Sequence, residues 1–299
     1  MNILINQKKK ELNSFLRLIR PHHYIKNLFI FMPLFFAGKI NNLDLLLNTI
    51  IAFIAFSSIA SAVYILNDFK DVKADLQHPR KKFRPIASGE ISKKNAILIM
   101  VLLLTLGMSL SALLLLKALT ILIIYILLNI AYSFYLKHVV ILDVTSVALG
   151  FVLRILLGSV VTGTLLSVWI IIMTYLIALF LALAKRRDDV LLFLDSGKKM
   201  RKVVDGYNIK YIDSAMTIVS SVIIVVYILY TVSNEVQQQI QNEYLYCTVL
   251  FVILGLMRYL HLSFVIGNTG SPVAIILKDK FIQITIFLWI LSFAFMIYL

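Results

Sequence analysis

Residues 45–66 read LLLNTIIAFIAFSSIASAVYIL, and Asn67-Asp68-Phe69-Lys70-Asp71-Val72-Lys73-Ala74-Asp75 follow without a break. The first part has the roughly 20 apolar residues that a helix needs to cross the hydrocarbon of a bilayer. The second part lies where that helix meets water. It carries three carboxylates and a carboxamide. Asn67, Asp71 and Asp75 recur at i, i+4 and i+8, and Asp68 falls beside them, so all four fit within roughly 100° of arc. Like charges so close repel unless a cation stands between them. Mg2+ takes one or two carboxylates and completes its shell with substrate phosphates, which makes it the expected cation. The plain alternative is a solvated acidic helix end. Ionisable residues at membrane depth are costly, and that favours a functional cluster.

Outward from this stretch the whole chain keeps the same character. It has 299 residues, 61% of them hydrophobic and only 15% charged, with a mean hydropathy of +0.92. Such a composition excludes a soluble globular domain and implies an all-α polytopic membrane protein. Nine apolar stretches are expected as spans: about 24–38, 45–66, 95–116, 118–136, 140–161, 166–184, 212–232, 244–262 and 281–298. Pro33 predicts a kink or a partly interfacial path in the first. Of the 29 lysines and arginines, all but Lys39, Lys117 and Arg154 fall on one side of such a bundle. That places the N-terminus and the polar loops in the cytoplasm and the C-terminus outside a cytoplasmic (inner) membrane. Residues 1–20, with Lys8-Lys9-Lys10 and apolar Leu12, Phe15, Leu16 and Ile19, read as an amphipathic helix on the membrane surface. Residues 21–299 read as a single transmembrane domain. The net charge of +14 sits in loops between spans, so a phosphate-bearing partner at the membrane is expected, and no nucleic acid. The single Cys247 excludes an internal disulfide.

Several further groups carry chemistry. Lys81 and Arg84 follow the acids within nine residues, in Lys81-Lys82-Phe83-Arg84-Pro85-Ile86-Ala87-Ser88-Gly89. Cations beside metal-binding carboxylates are how proteins hold a diphosphate leaving group. A second polar loop, expected from about 185 to 211, opens Lys185-Arg186-Arg187-Asp188-Asp189. It is either a stop-transfer cluster or an anion site. Lys26 and Asn27 either bind phosphate or anchor the first span at the headgroups. Tyr135 and Lys137 lie in Tyr132-Ser133-Phe134-Tyr135-Leu136-Lys137, with Asp143 beyond. Arg154 stands about 16 Å along the same helix from Asp143, too far to touch it, and needs a partner from another helix or an anion. No histidine pair has metal spacing, and no nucleophile–base arrangement is visible.

Together these residues resemble the UbiA superfamily of intramembrane prenyltransferases. The resemblance lies in Asn67-Asp-x-x-Asp71-x-x-x-Asp75, Arg84-Pro-Ile-Ala-Ser-Gly89 and Tyr132-Ser…Lys137, and it spans nearly the whole chain. It implies nine helices around a central cavity, Mg2+, and two acidic loops that grip a diphosphate. The basic opening of the second loop departs from that pattern. With Arg20-Pro-His-His-Tyr-Ile-Lys-Asn27 and Gly150-Phe-Val-Leu-Arg154 it is similar to the phosphoribosyl branch. Members of that branch move 5-phosphoribose from phosphoribosyl pyrophosphate to a polyprenyl phosphate, in cell envelope biosynthesis. On this footing Asn67, Asp71 and Asp75 are expected to hold Mg2+, with Asp68 nearby. Lys81, Arg84, Lys185, Arg186 and Arg187 would neutralise phosphates, and Lys26, Asn27, Tyr135, Lys137, Arg154 and Asp189 would complete the substrate site. A conventional prenyltransferase moving a prenyl group from its diphosphate to an aromatic or other acceptor is the alternative. A transporter or channel would spread more polar residues through the spans. A homo-oligomer stays open.

Overall fold

The computed structural model describes residues 12–77, 81–196, 206–240, 242–266 and 272–298; Lys8–Lys10 of the sequence reading and part of its second polar loop, 197–205, lie outside these. The expected all-α architecture holds, and no strand occurs among the described residues. Among the described residues eight helices are long and apolar enough to cross a membrane, which marks an integral membrane protein. They are α1 (Leu43–Gln77), α2 (Lys93–Leu114), α3 (Leu116–Phe134), α4 (Leu142–Thr162), α5 (Val168–Ser196), α6 (Ile209–Val232), α7 (Val249–Phe264, whose span begins with the 3-10 helix Glu243–Thr248) and α8 (Lys280–Tyr298).

The first expected span is the one that differs. Pro21–Phe31 is a 3-10 helix and Met32–Phe36 a short α-helix with Pro33 in its first turn. Proline supplies no N–H, so the chain changes hydrogen-bond register there. The second expected loop also starts later: α5 runs to Ser196, so Lys185–Asp189 is helical. Nothing breaks the helix when it leaves the apolar zone, because Lys, Arg and Leu are all good helix formers.

Helix ends follow from the sequence. The Ser92 hydroxyl accepts the Asn95 N–H, and the Asn208 side chain accepts that of Tyr211 at 2.7 Å. Asp279 accepts the Ile282 N–H at the start of α8. Within the spans, hydroxyls turn back on their own helix. Thr49, Ser58, Thr120, Ser146 and Thr285 each donate to the carbonyl four residues earlier, which satisfies them where water is absent.

Two compact units are present. One comprises residues 1–134 and 153–165, the other 135–152 and 166–299, so α4 contributes to both. In the first unit, a stripe of Ala52, Ala55, Phe56, Ile59, Ala60 and Val63 on α1 packs with Ile30, Leu122 and Leu157. Small residues permit close approach, which is what drives helix association where the hydrophobic effect is absent. Gly158 is the tightest point: a Cβ there would stand 2.0 Å from the carbonyl oxygen of Ile30. In the second unit, Phe180, Ile212, Met216, Ile223, Tyr259 and Ile282 form the core. The Tyr227 hydroxyl links Thr248 and the Trp289 indole N–H there, both at 2.7 Å.

Gly158→Ala is therefore expected to destabilise the folded protein by about 1–3 kcal/mol, because backbone cannot yield as a flexible side chain does. Gly255→Ala is the control, since its nearest neighbour would lie 3.8 Å away. Thermal melting of both variants in detergent checks this: equal melting temperatures would show that the close crossing has no energetic weight.

Candidate active site

The acidic end of α1 splits into two pairs. Asp68 and Asp75 are buried, at 2% and 3% exposure, while Asn67 and Asp71 are half-buried. The helix sets this division: Asp68 and Asp75 differ by only about 20° in direction, and Asn67 and Asp71 lie further round. Arg84 donates its Nη1 to Asp68 at 2.9 Å and to Asp75 at 2.8 Å, so one guanidinium bridges both buried acids. Arg20 grips both oxygens of Asp68 from the other side.

Local sequence puts these arginines there. Pro85 and Ile86 are buried, and Ile86 packs with Leu18, Ile65 and Ala96. The turn is closed by Ser88 N–H to the Arg84 carbonyl and Ile91 N–H to that of Pro85. Gly89 takes φ +76°, a left-handed value that suits glycine. With Pro-Ile-Ala-Ser-Gly fixed in this way, Arg84 faces the acids. Arg20 is itself left-handed at φ 56°, and Ser61 donates to the preceding carbonyl, that of Ile19, at 2.7 Å. Residues 12–19 form the helix before it. Ser14 and Arg17 bind Glu90, and Leu18 is fully buried, while Leu12, Phe15 and Leu16 stay exposed. Between this helix and the loop lies a cavity of about 970 Å³ lined by Leu16, Arg17, Arg20, His22, Arg84 and Glu90.

Deeper in the same unit Asn27 and Arg154 meet. Asn27 is 1% exposed, donates to Ser57 at 2.9 Å and accepts the Arg154 Nε–H at 2.8 Å. The guanidinium lies over Phe56, 4.5 Å from the ring centre, and over Tyr125 at 5.4 Å. The arginine has the partner on another helix that its depth demands. Asn27 is neutral, so it orients the guanidinium without cancelling its charge.

The second unit holds another buried network. Asp143, fully buried in the first turn of α4, accepts from the Arg186 Nε–H and from the Tyr207 hydroxyl at 2.6 Å. Arg186 also donates to Asp189 at 2.6 Å. Burial, and then the hydrogen bond to Asp143, push the Tyr207 phenol well above its ordinary range, so it remains a donor. Arg187 pairs with Asp213 at 2.6 Å and lies over Phe264. Lys185 is exposed, Tyr135 is 69% exposed and Lys137 half-buried.

The structure thus joins Asp68, Asp75 and Arg84 of the sequence-predicted residues, and separately Asn27 with Arg154, and Arg186 with Asp189. Lys26, which directly precedes the buried Asn27, is half-buried. Lys81 opens the short turn Lys81–Phe83 before Arg84. Among the described residues no three His, Cys, Asp or Glu side chains converge as a metal cage. Sequence reasoning assigned no role to Arg20, Tyr207, Asp213 or Lys70. Arg20 had a signal in its Arg-Pro-His-His motif, but Tyr207 had none. Lys70 leaves the acidic face altogether, donating to the Ser133 carbonyl at 2.6 Å and covering Phe134 at the end of α3.

Comparison with known proteins adds to this geometry. Residues 27–263 match the model of the UbiA prenyltransferase family. A decaprenyl-phosphate phosphoribosyltransferase of Mycolicibacterium smegmatis is 30% identical, the match covering 94% of this chain and 92% of that protein. One of the same name from Corynebacterium glutamicum is 29% identical over 96% of this chain and 87% of its own. A UbiA homologue from Archaeoglobus fulgidus, solved with DMAPP and Mg2+ bound, superposes with a TM-score of 0.72 at 19% identity, covering 95% of this chain and 99% of that one.

Asp68→Ala leaves two partly buried guanidiniums short of a partner. It should cost about 3 kcal/mol, as breaking a buried pair does. Asp71→Ala, which removes a less buried carboxylate, should melt close to the parent. Similar melting temperatures for the two variants would rule out the arginine clamp on Asp68.

Proposed function

The chain belongs to the UbiA prenyltransferase family, and on that premise we propose that it transfers 5-phosphoribose from phosphoribosyl pyrophosphate to a polyprenyl phosphate, releasing pyrophosphate. The observation that carries this is the charge of the Lys185–Asp189 segment. Cations lead it and Lys185 is exposed, in a position where a second pair of spaced acids would suit a second metal. Two phosphate-bearing substrates call for cations there. The name borne by the two bacterial relatives supports the same substrates.

Mg2+ fits the residues of α1 by chemistry. Asn67, Asp71 and Asp75 offer oxygen donors only, and Asp75 spends Oδ2 on Arg84 while Oδ1 remains for a metal. These three would hold the ion, which when bound offsets the charge of the pyrophosphate. Lys81 and Arg84 add positive charge beside the acids, and Lys185 with Lys137 does so in the other unit. An acceptor phosphate oxygen attacks C1 of the ribose as the bond from C1 to the pyrophosphate oxygen breaks, and the electron pair leaves with pyrophosphate. A phosphate monoester is already anionic at neutral pH, so the chain needs no general base. Its residues position the substrates and neutralise charge. Residues 21–299 act as one catalytic domain, with the helix 12–19 laying its exposed Leu12, Phe15 and Leu16 on the membrane. The polar helix ends face the cytoplasm and the C-terminus lies outside. The family description favours one other reading, transfer of a prenyl group from its diphosphate.

Incubating purified protein with radiolabelled phosphoribosyl pyrophosphate and polyprenyl phosphate tests the proposal. Labelled lipid should form only with Mg2+, and Asp71→Ala should lower the rate at least about 100-fold with unchanged melting. Turnover of a prenyl diphosphate with an aromatic acceptor, and none of the sugar donor, would decide for the prenyl reading.

A further inference from the structure

Asp143 accepts hydrogen bonds from two residues 43 and 64 positions away, Arg186 and Tyr207. The Tyr207 oxygen in turn accepts the Ile141 N–H at 2.9 Å. Ile141 has φ 73°, a left-handed conformation that a β-branched residue keeps only when its surroundings hold it. Arg186 reaches on to Asp189, one turn along α5. One connected set therefore ties three segments: the turn after α3 that ends at Ile141, the charged turn of α5, and Tyr207 just before α6. The first two each carry a lysine, Lys137 four residues before Ile141 and Lys185 directly before Arg186. Arg186 itself is 3% exposed, with Nε and Nη1 both committed to carboxylates.

We propose that Asp143, Tyr207 and Arg186 form a brace of positioning residues that fixes Lys137 and Lys185 so that both act on one phosphate group of the substrate. This rests on the phosphate-binding reading of those lysines and deepens it. Arg186 acts through its neighbour Lys185 rather than on the substrate. A guanidinium suits the task because its planar fork can serve two carboxylates at once, which an ammonium does with far less directional control. Ile141 is the mark of the constraint: a turn free to relax would not keep a β-branched residue at positive φ.

Titration of Mg2+ and inorganic pyrophosphate into the full-length protein, by calorimetry, tests the brace. Tyr207→Phe removes both hydrogen bonds of the phenol, and Asp143→Asn keeps an acceptor but removes the charge. Each is expected to weaken pyrophosphate binding about tenfold. Lys137→Ala should cost about tenfold in the parent and less than twofold when added to Tyr207→Phe, because the lysine is already misplaced. Fully additive losses would overturn the brace, and so would parental affinity in the two single variants. Adding Ile141→Gly to Tyr207→Phe separates the brace from support of the turn alone. The brace requires that binding stay weak, whereas recovery would show that Tyr207 serves only the strained turn. Should Tyr207→Phe fail to melt like the parent, Asp143→Asn, with its unchanged shape, carries the test. Pyrophosphate leaves in both phosphoribosyl and prenyl transfer. Absence of ribosyl transfer alongside the expected binding pattern would therefore sink the proposed reaction and leave the brace standing.

Discussion

Two buried carboxylates on one helix face, Asp68 and Asp75, share a single guanidinium nitrogen. Without Arg84 between them they would repel in a setting of low dielectric, where such repulsion is strong. The first unit is built to supply that cation. Pro85 and Ile86 anchor the loop so that Arg84 points at the acids. Arg20 completes the neutralisation of Asp68, and the helix 12–19 docks behind it through Leu18 and Arg17. The N-terminal helix, the loop and the end of α1 are thus one electrostatic assembly.

The membrane explains why so much of the fold was legible. Spans must satisfy their own backbones, so length and hydropathy locate helices directly. The stretch at 24–38 was the one that read poorly, and its Pro33 was the reason given and the reason found. Polar contacts were far less legible. That Arg154 needs a partner follows from depth alone; that the partner is Asn27, 127 residues away, does not. Likewise Asp143 stood out beside Lys137, but Tyr207 belongs to a segment with no motif, and only the fold brings its hydroxyl to that carboxylate. The end of α5 misled for a different reason. Charge was taken as the end of the helix, whereas charge ends only the apolar zone.

Depth and direction also divide the acidic run itself. Four oxygen-bearing side chains within one arc suggested one cluster, yet a shift of one residue turns Asp68 toward the protein and leaves Asn67 and Asp71 outside it. The buried pair has arginine partners and so has a structural task. Asn67 and Asp71 stand nearer the surface, and under the proposed reaction they would meet a ligand from solution. Asp75 stands at the boundary, with one oxygen on Arg84.

The same division separates the two kinds of cation. Every described arginine has a side-chain partner: Arg17 with Glu90, Arg20 and Arg84 with the acids of α1, Arg154 with Asn27, Arg186 with Asp143 and Asp189, Arg187 with Asp213, Arg258 with Asp279. The lysines Lys73, Lys82, Lys93, Lys94 and Lys185 are exposed. Guanidinium is planar, weakly hydrated and able to bridge two carboxylates, so it can be buried in pairs; ammonium holds its water more tightly, and these five stay exposed while Lys26, Lys81 and Lys137 are half-buried. Under the proposed reaction this gives each a distinct part. Arginines fix the geometry of the carboxylates, and lysines supply charge that can follow a phosphate as it enters and leaves. A net charge of +14 then does not mean fourteen equivalent binding groups. Under that reaction the charge that meets a soluble anion would come chiefly from the exposed lysines, and Arg186, held by Asp143 and Asp189, would set where Lys185 stands.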